Sequence, residues 1–234
     1  MTDNSEHQDQ QKNSDDKPNS LGLSISTNSA ILGFFALLCT AIIASTYLST
    51  EEKIDKQKRQ AQLKALYQIV PKQQHDNDML QDNIVFEDQA LGHRKEQNLF
   101  LAKKSLSGEQ QPLTLIYPVT ARDGYSGDID FIIGINVSDG SIAGVRVIKH
   151  KETPGLGDKV DLRKSDWVLD FNGHSLGDPD SEGWTVKKEG GIFDGFTGAT
   201  ITPRAVIASI ENTLRYHHLN ADKLIEQFDV KTEQ

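Results

Sequence analysis

The chain of 234 residues holds a single cysteine, Cys39. An intramolecular disulfide is therefore impossible, and so is an iron–sulfur cluster or thiolate zinc site supplied by this chain alone. Basic residues are also in short supply: Lys+Arg number 25 against 34 Asp+Glu, a net charge of −9. Phosphate neutralisation needs clustered Lys and Arg, so the balance argues against a nucleic-acid-binding surface. No P-loop, no GxGxxG nucleotide loop and no Ser/His/Asp constellation in a credible context occurs. Adjacent His217 and His218 would point about 100° apart on a helix and cannot readily share a metal, while His93, His150 and His174 lie in unrelated contexts. Lys103-Lys104 and Lys187-Lys188 read as solvated strand ends.

The most informative absence is local, for no charged residue occurs between Leu21 and Thr50. Within that stretch Ala30–Leu48 (AILGFFALLCTAIIASTYL) is nineteen residues of apolar or small side chains. At about 1.5 Å per residue it spans roughly 28 Å, close to the hydrocarbon thickness of a bilayer. Tyr47 stands where an interfacial aromatic belongs. A cleaved signal peptide would begin with a short basic segment and end on small residues; this run follows an acidic tail and ends on Thr46-Tyr47-Leu48. A retained single-span anchor is the reading. The mean hydropathy of −0.49 thus averages a lipid-soluble helix with hydrophilic flanks.

The organisation follows from composition. Residues 1–20 carry two lysines and five acids among Asn, Gln and Ser, too polar to bury a core, and read as a disordered tail. Residues 21–50 are the transmembrane helix and 51–71 a helical connector, with Ile54, Ala61, Ala65 and Ile69 in register and Pro71 as the stop. A domain follows over 72–220 and a C-terminal tail over 221–234. Strands are expected at Asn98–Ala102, Leu113–Ala121, Asp128–Val137 and Ser141–His150, the last two joined by Ser138-Asp139-Gly140, whose Asp-Gly pair suits a tight hairpin turn. Ile129, Phe131, Ile133, Ile135 and Val137 alternate toward one face. A Gly-rich irregular stretch leads to a final helix, Pro203 to about Leu219, with Val206, Ile210 and Leu214 on one stripe. Strands grouped before a closing helix make this an α+β fold with an antiparallel-rich sheet, the helix packing on it and presenting Thr200 at its N-terminal end.

Chemistry concentrates in Asp194-Gly195-Phe196-Thr197-Gly198-Ala199-Thr200-Ile201-Thr202-Pro203-Arg204. Thr202 reads as a helix N-cap and Pro203 as the first helical residue. The glycines allow close backbone approach, and the helix start with nearby Arg204 could attract an anion. On the residues alone a capped turn in a Gly/Thr-rich loop accounts for the segment better, because short motifs of this kind recur by chance.

The string DGFTGAT, Asp194 to Thr200, resembles the flavinylation motif of the FMN-binding domains of bacterial respiratory complexes. Glu152-Thr153-Pro154-Gly155-Leu156-Gly157 resembles the ETPGLG element of the same family. HKETPGLGDKVDLRKSDW (His150–Trp167) and FTGATITPRAV are similar to the RnfG (or RsxG) family of the Rnf ion-translocating electron-transport complexes. The resemblance implies FMN joined through a phosphoester to Thr200, with Asp194, Thr197, Gly198 and Ala199 completing the signature. It implies Thr153, Leu156, Gly157 and Trp184 near the flavin. It also implies a separate Mg-dependent flavin transferase using FAD, other membrane proteins of the Rnf complex as partners, and a flavin domain on the periplasmic side of the bacterial inner membrane. The charge count points the other way: two lysines precede the span and five basic residues follow it within 51–70, which taken alone would keep the domain cytoplasmic. Large domains translocate despite such bias. Two further readings stay open: the sister flavin-binding component of a sodium-translocating NADH:quinone reductase, and a non-redox sensor holding a phosphorylated ligand at the Thr200 loop.

Overall fold

A computed structural model describes residues 19–106 and 108–232; the expected polar tail, 1–20, lies almost wholly outside them. The chain divides into two compact units, 1–58 and 59–234.

The first unit is the greater part of helix α1 (Asn19–Ile69), uninterrupted because no proline or charge breaks its apolar stretch. Among the described residues it is the one helix long and apolar enough to cross a membrane. Its large side chains lie outside any core: Leu32, Phe34, Ile43 and Leu48 are all largely exposed, although the Phe34 and Phe35 rings meet edge-on at 6.1 Å. In lipid that exposure carries no penalty, whereas unpaired polar groups would. The span's threonines meet that condition: Thr40 and Thr46 donate to the carbonyls of Ala36 and Ile42, each at 2.8 Å.

The second unit is built on a five-stranded antiparallel meander in sequential order. Its strands are β1 (Asn83–Phe86), β2 (Gln97–Leu106), β3 (Glu109–Ala121), β4 (Ile129–Asn136) and β5 (Ile142–Lys149). Helix α2 (Ile201–Thr232) closes the chain. The alternation read from the sequence holds: Ile129, Phe131, Ile133 and Ile135 face one core with Leu115, Tyr117 and Val145. Val206, Ile207, Ile210 and Leu214 of α2 join that core. The opposite face also buries side chains. There Phe100, Ala102, Ile116 and Ile132 pack with Met79 and with Leu66, Ile69 and Val70 at the end of α1 and just beyond it. Burial of that kind contributes roughly 1.5–3 kcal/mol per large side chain, which makes the helix end part of the domain. Gly134 permits the approach, since a β-carbon there would lie 2.3 Å from Ile69 Cγ2. Arg146 of β5 then donates to the Gln68 carbonyl at 2.9 Å, satisfying an end-of-helix acceptor with a cation at the favourable pole.

Several details differ from expectation. Strand β1 is four residues long, too short for alternation to announce it. The β4–β5 connection is longer than Ser138-Asp139-Gly140, since β4 ends at Asn136 and β5 starts at Ile142; Gly140, at φ 69°, donates to the Asn136 carbonyl at 2.9 Å. Lys103 is buried beside a bulge in β2 and is no strand end. Helix α2 starts two residues before Pro203 and continues through the expected 221–234 tail as far as Thr232, burying Leu224 and Phe228.

Candidate functional site

The Gly-rich stretch between β5 and α2 folds without regular strands. A single carbonyl, that of Thr153, accepts the N–H groups of Leu156, Gly157 and Asp158 at 3.1, 3.2 and 3.4 Å. The Asp158 carboxylate takes the Gly155 N–H at 2.8 Å, and Gly155 adopts φ 79°. This tight turn leaves Thr153 and Leu156 exposed while Gly157 is buried.

Gly157 is buried against the other motif. A β-carbon there would come within 2.6 Å of Glu152 Oε2 and 2.9 Å of Thr202 Oγ1. Those two atoms are bonded, the Thr202 hydroxyl donating to Glu152 across fifty residues of sequence. Glu152 Oε1 also accepts the Ser126 N–H at 2.9 Å. On the outer side Leu156 meets the loop: a β-carbon at Gly198, whose φ is 82°, would sit 3.3 Å from Leu156 Cδ2. The two elements recognised separately in the sequence are therefore neighbours in space.

The loop itself is held from below. Trp167 Nε1 donates to the Asp194 carbonyl at 2.8 Å, and the Trp167 ring meets Phe196 edge-on at 4.9 Å. Trp184 does not join the exposed residues. It is buried among Phe171, Phe193 and His174, its indole N–H donating to the Pro179 carbonyl at 3.2 Å. Ala199 is buried, while Asp194, Thr197 and Gly198 are exposed. Lys187 pairs with the Asp194 carboxylate at 2.7 Å, and Arg204 pairs with Glu189, so the cation expected near the loop already shares its charge.

Three threonine hydroxyls lie in this segment, and their states differ. Thr197 is exposed, Thr202 is buried and committed to Glu152, and Thr200 is half-buried. Because α2 begins at Ile201, Thr200 is the residue immediately before the helix, and Thr202, read from sequence as the cap, lies within the first turn. Thr200 thus stands at the start of a helix, where unpaired backbone N–H groups can accommodate an anion. Farther along the same stretch, hydrogen bonds from the Arg163 side chain hold the Asp161 carboxyl below the usual carboxylate range, helped by the Arg163 N–H and by nearby His150.

The FMN-binding domain family matches residues 124–215, and the N-terminal region of the RnfG family matches 20–69. The G component of an ion-translocating oxidoreductase complex from Pseudoalteromonas atlantica is 45% identical over 201 residues, 86% of this chain and 91% of that protein. The chain belongs to the RnfG family of ion-translocating oxidoreductase complexes. Its counterpart from Vibrio cholerae is 41% identical over 203 residues, covering 87% of this chain and 95% of its relative. The crystal structure of Shewanella oneidensis NqrC aligns with 25% identity and a TM-score of 0.39, over 58% of this chain and 67% of that one. As an RnfG protein the chain combines an FMN-binding domain with an apolar N-terminal helix suited to membrane anchoring.

Two residues of the site escaped the sequence reading as site residues. Glu152 was visible as the first letter of ETPGLG, yet its partner Thr202 is fifty positions away. Trp167 ends the run that resembles RnfG, but nothing local ties it to Asp194.

Proposed function

We propose that this RnfG protein carries electrons within an Rnf-type membrane complex on an FMN joined covalently to Thr200. The observation that carries the reading is the state of the Thr200 hydroxyl. Of the three threonines Thr200 is the half-buried one, Thr197 being exposed and Thr202 bonded to Glu152, and it stands at a helix start beside the ETPGLG turn. Gly198 and Gly157 keep space and close approach where side chains would obstruct them. Leu156 and Ile201, both partly exposed, offer apolar surface on either side for a flavin ring, with Thr153 at the turn's outer edge. Asp194, Thr197 and Ala199 shape the loop that a transferase would recognise. Trp184 acts through the aromatic floor beneath it.

When bound, the flavin supplies the electron-transfer chemistry. The chain's part is attachment and placement. Thr200 Oγ forms a bond to the FMN phosphorus of FAD while the phosphoanhydride bond breaks. AMP leaves with that electron pair, the hydroxyl proton passes to a base outside this chain, and no electrons are exchanged with the flavin. That base belongs to a separate Mg-dependent flavin transferase, which uses FAD as the donor. A covalent link suits a periplasmic domain, where a lost flavin could not be replaced from a pool. Electrons then pass to and from the other membrane proteins of the complex.

The test is direct. Wild-type protein co-expressed with a flavin transferase should give a fluorescent band on a denaturing gel, and Thr200→Val should give none. A dark wild-type band would remove the covalent reading. A reporter fused after Gln234 should be active only in the periplasm.

A further inference from the structure

We propose that Glu152 is a positioning residue for flavin transfer, acting on Thr200 through Thr202; the proposal rests on Thr200 being the acceptor. Glu152 is 4% exposed and Thr202 is fully buried. Each carboxylate oxygen has its own donor: Oε1 takes the Ser126 N–H at 2.9 Å and Oε2 takes the Thr202 hydroxyl. The Glu152 N–H is engaged as well, donating to His150 Nδ1 at 3.2 Å. One side chain thus joins three segments that are distant in sequence: the turn before β4, the ETPGLG turn and the first turn of α2.

The consequence falls on Thr200. The first N–H groups of a helix have no intrahelical acceptor, so a helix start has few backbone bonds to hold it. Here the first turn is fastened by the Thr202 side chain instead, and Thr200 is two residues upstream. A β-carbon at position 157 would push against both bonded oxygens, so glycine there keeps the Glu152–Thr202 bond undisturbed. Aligning a hydroxyl for in-line attack is sensitive to displacements of about 1 Å, which can cost on the order of 100-fold in rate. A buried bond that fixes the adjacent turn supplies that alignment without touching flavin.

Glutamine at 152 retains one acceptor oxygen for two donors, and valine at 202 preserves shape while deleting the hydroxyl. The experiment uses the full chain in detergent with purified transferase, FAD and Mg²⁺, reading the initial rate of covalent fluorescence. Each variant's thermal unfolding is measured alongside. Glu152→Gln and Thr202→Val should each lower the maximal transfer rate about tenfold or more, with the KM for the acceptor protein nearly unchanged. Thr202→Ser, which keeps the hydroxyl, should recover most of the rate. If Glu152→Gln does not fold, the Thr202 pair decides alone. Wild-type transfer rates in folded Thr202→Val would overturn the positioning role and leave the covalent reading intact. Equal slowing in Thr202→Ser and Thr202→Val would overturn it too, because loss of the methyl packing would then explain the effect. No labelling of the wild type would instead defeat the underlying assignment.

Discussion

Residues 83–149 and residues 150–200 build the same core by different means. In the first stretch the backbone is satisfied by an antiparallel ladder, and every second side chain of β4 points inward. In the second, backbone groups are satisfied individually, by the Thr153 carbonyl, the Asp158 carboxylate or the Ser165 hydroxyl. Its apolar content is aromatic: Trp167, Phe171, Trp184, Phe193 and Phe196 meet with ring centroids between 4.5 and 6.5 Å. A ladder tolerates exchange of one apolar residue for another. A stretch assembled from particular side-chain bonds sets positions more narrowly, and the Thr200 loop lies in that stretch.

The largest expected effect tests whether the two regions share one cooperative core. Phe131 in β4 is 1% exposed and Phe171 in the irregular stretch is fully buried. Phe131→Ala and Phe171→Ala should each cost about 3–5 kcal/mol, and both should lower the midpoint of one transition in denaturant. A Phe171→Ala protein that keeps the wild-type midpoint would show that the irregular stretch folds apart from the sheet.

The next effect compares the buried polar links by which each region holds α2. The irregular stretch uses Glu152–Thr202; the sheet uses Tyr117, whose hydroxyl shares a hydrogen bond with His217 Nδ1 at 2.9 Å. Burial pushes the Tyr117 phenol up. Burial, with His218 next, pushes the His217 imidazole down to about 4 against the opposing pull of Asp222. The native state therefore holds His217 neutral where the unfolded chain, with an ordinary value near 6.5, binds a proton. Between those values stability falls as pH falls, and the loss reaches about 3 kcal/mol near pH 4. Equilibrium unfolding of wild type and His217→Gln from pH 7 to pH 4 measures it. The wild type should lose the larger share, and parallel curves would show that the sheet-side link does not titrate.

How much of this was legible in the chain differs between the regions for the same reason. Alternation announces β4 and β5 because half their residues must be apolar, and the stripe Val206, Ile210, Leu214 announces α2 because a helix repeats. That stripe continues through His217, Ala221, Leu224 and Phe228, all buried or partly buried. The polar residues between them hid the continuation and made residues 221–234 read as a tail. The Thr200 loop and the ETPGLG turn were found by resemblance, not periodicity. Their junction was not legible, since a bond from Glu152 to Thr202 or from Trp167 to Asp194 leaves no repeating pattern.

The smallest effects concern Asp194, which is held in two ways at once. Its carbonyl accepts from the Trp167 indole at 2.8 Å, and its carboxylate pairs with Lys187 at 2.7 Å. The lysine and aspartate side chains are 60% and 61% exposed, so water and salt compete for the pair. The indole is 5% exposed, and its bond is shielded. Trp167→Phe, which keeps an aromatic ring and deletes the donor, should cost about 1 kcal/mol and slow flavin labelling. Lys187→Ala should change stability by no more than about 0.5 kcal/mol and leave labelling unaltered. Thermal unfolding and gel fluorescence of both variants measure the contrast. If Lys187→Ala proved the more damaging, surface charge and not the aromatic floor would be setting the loop, and the distinction between the two regions would have to be redrawn.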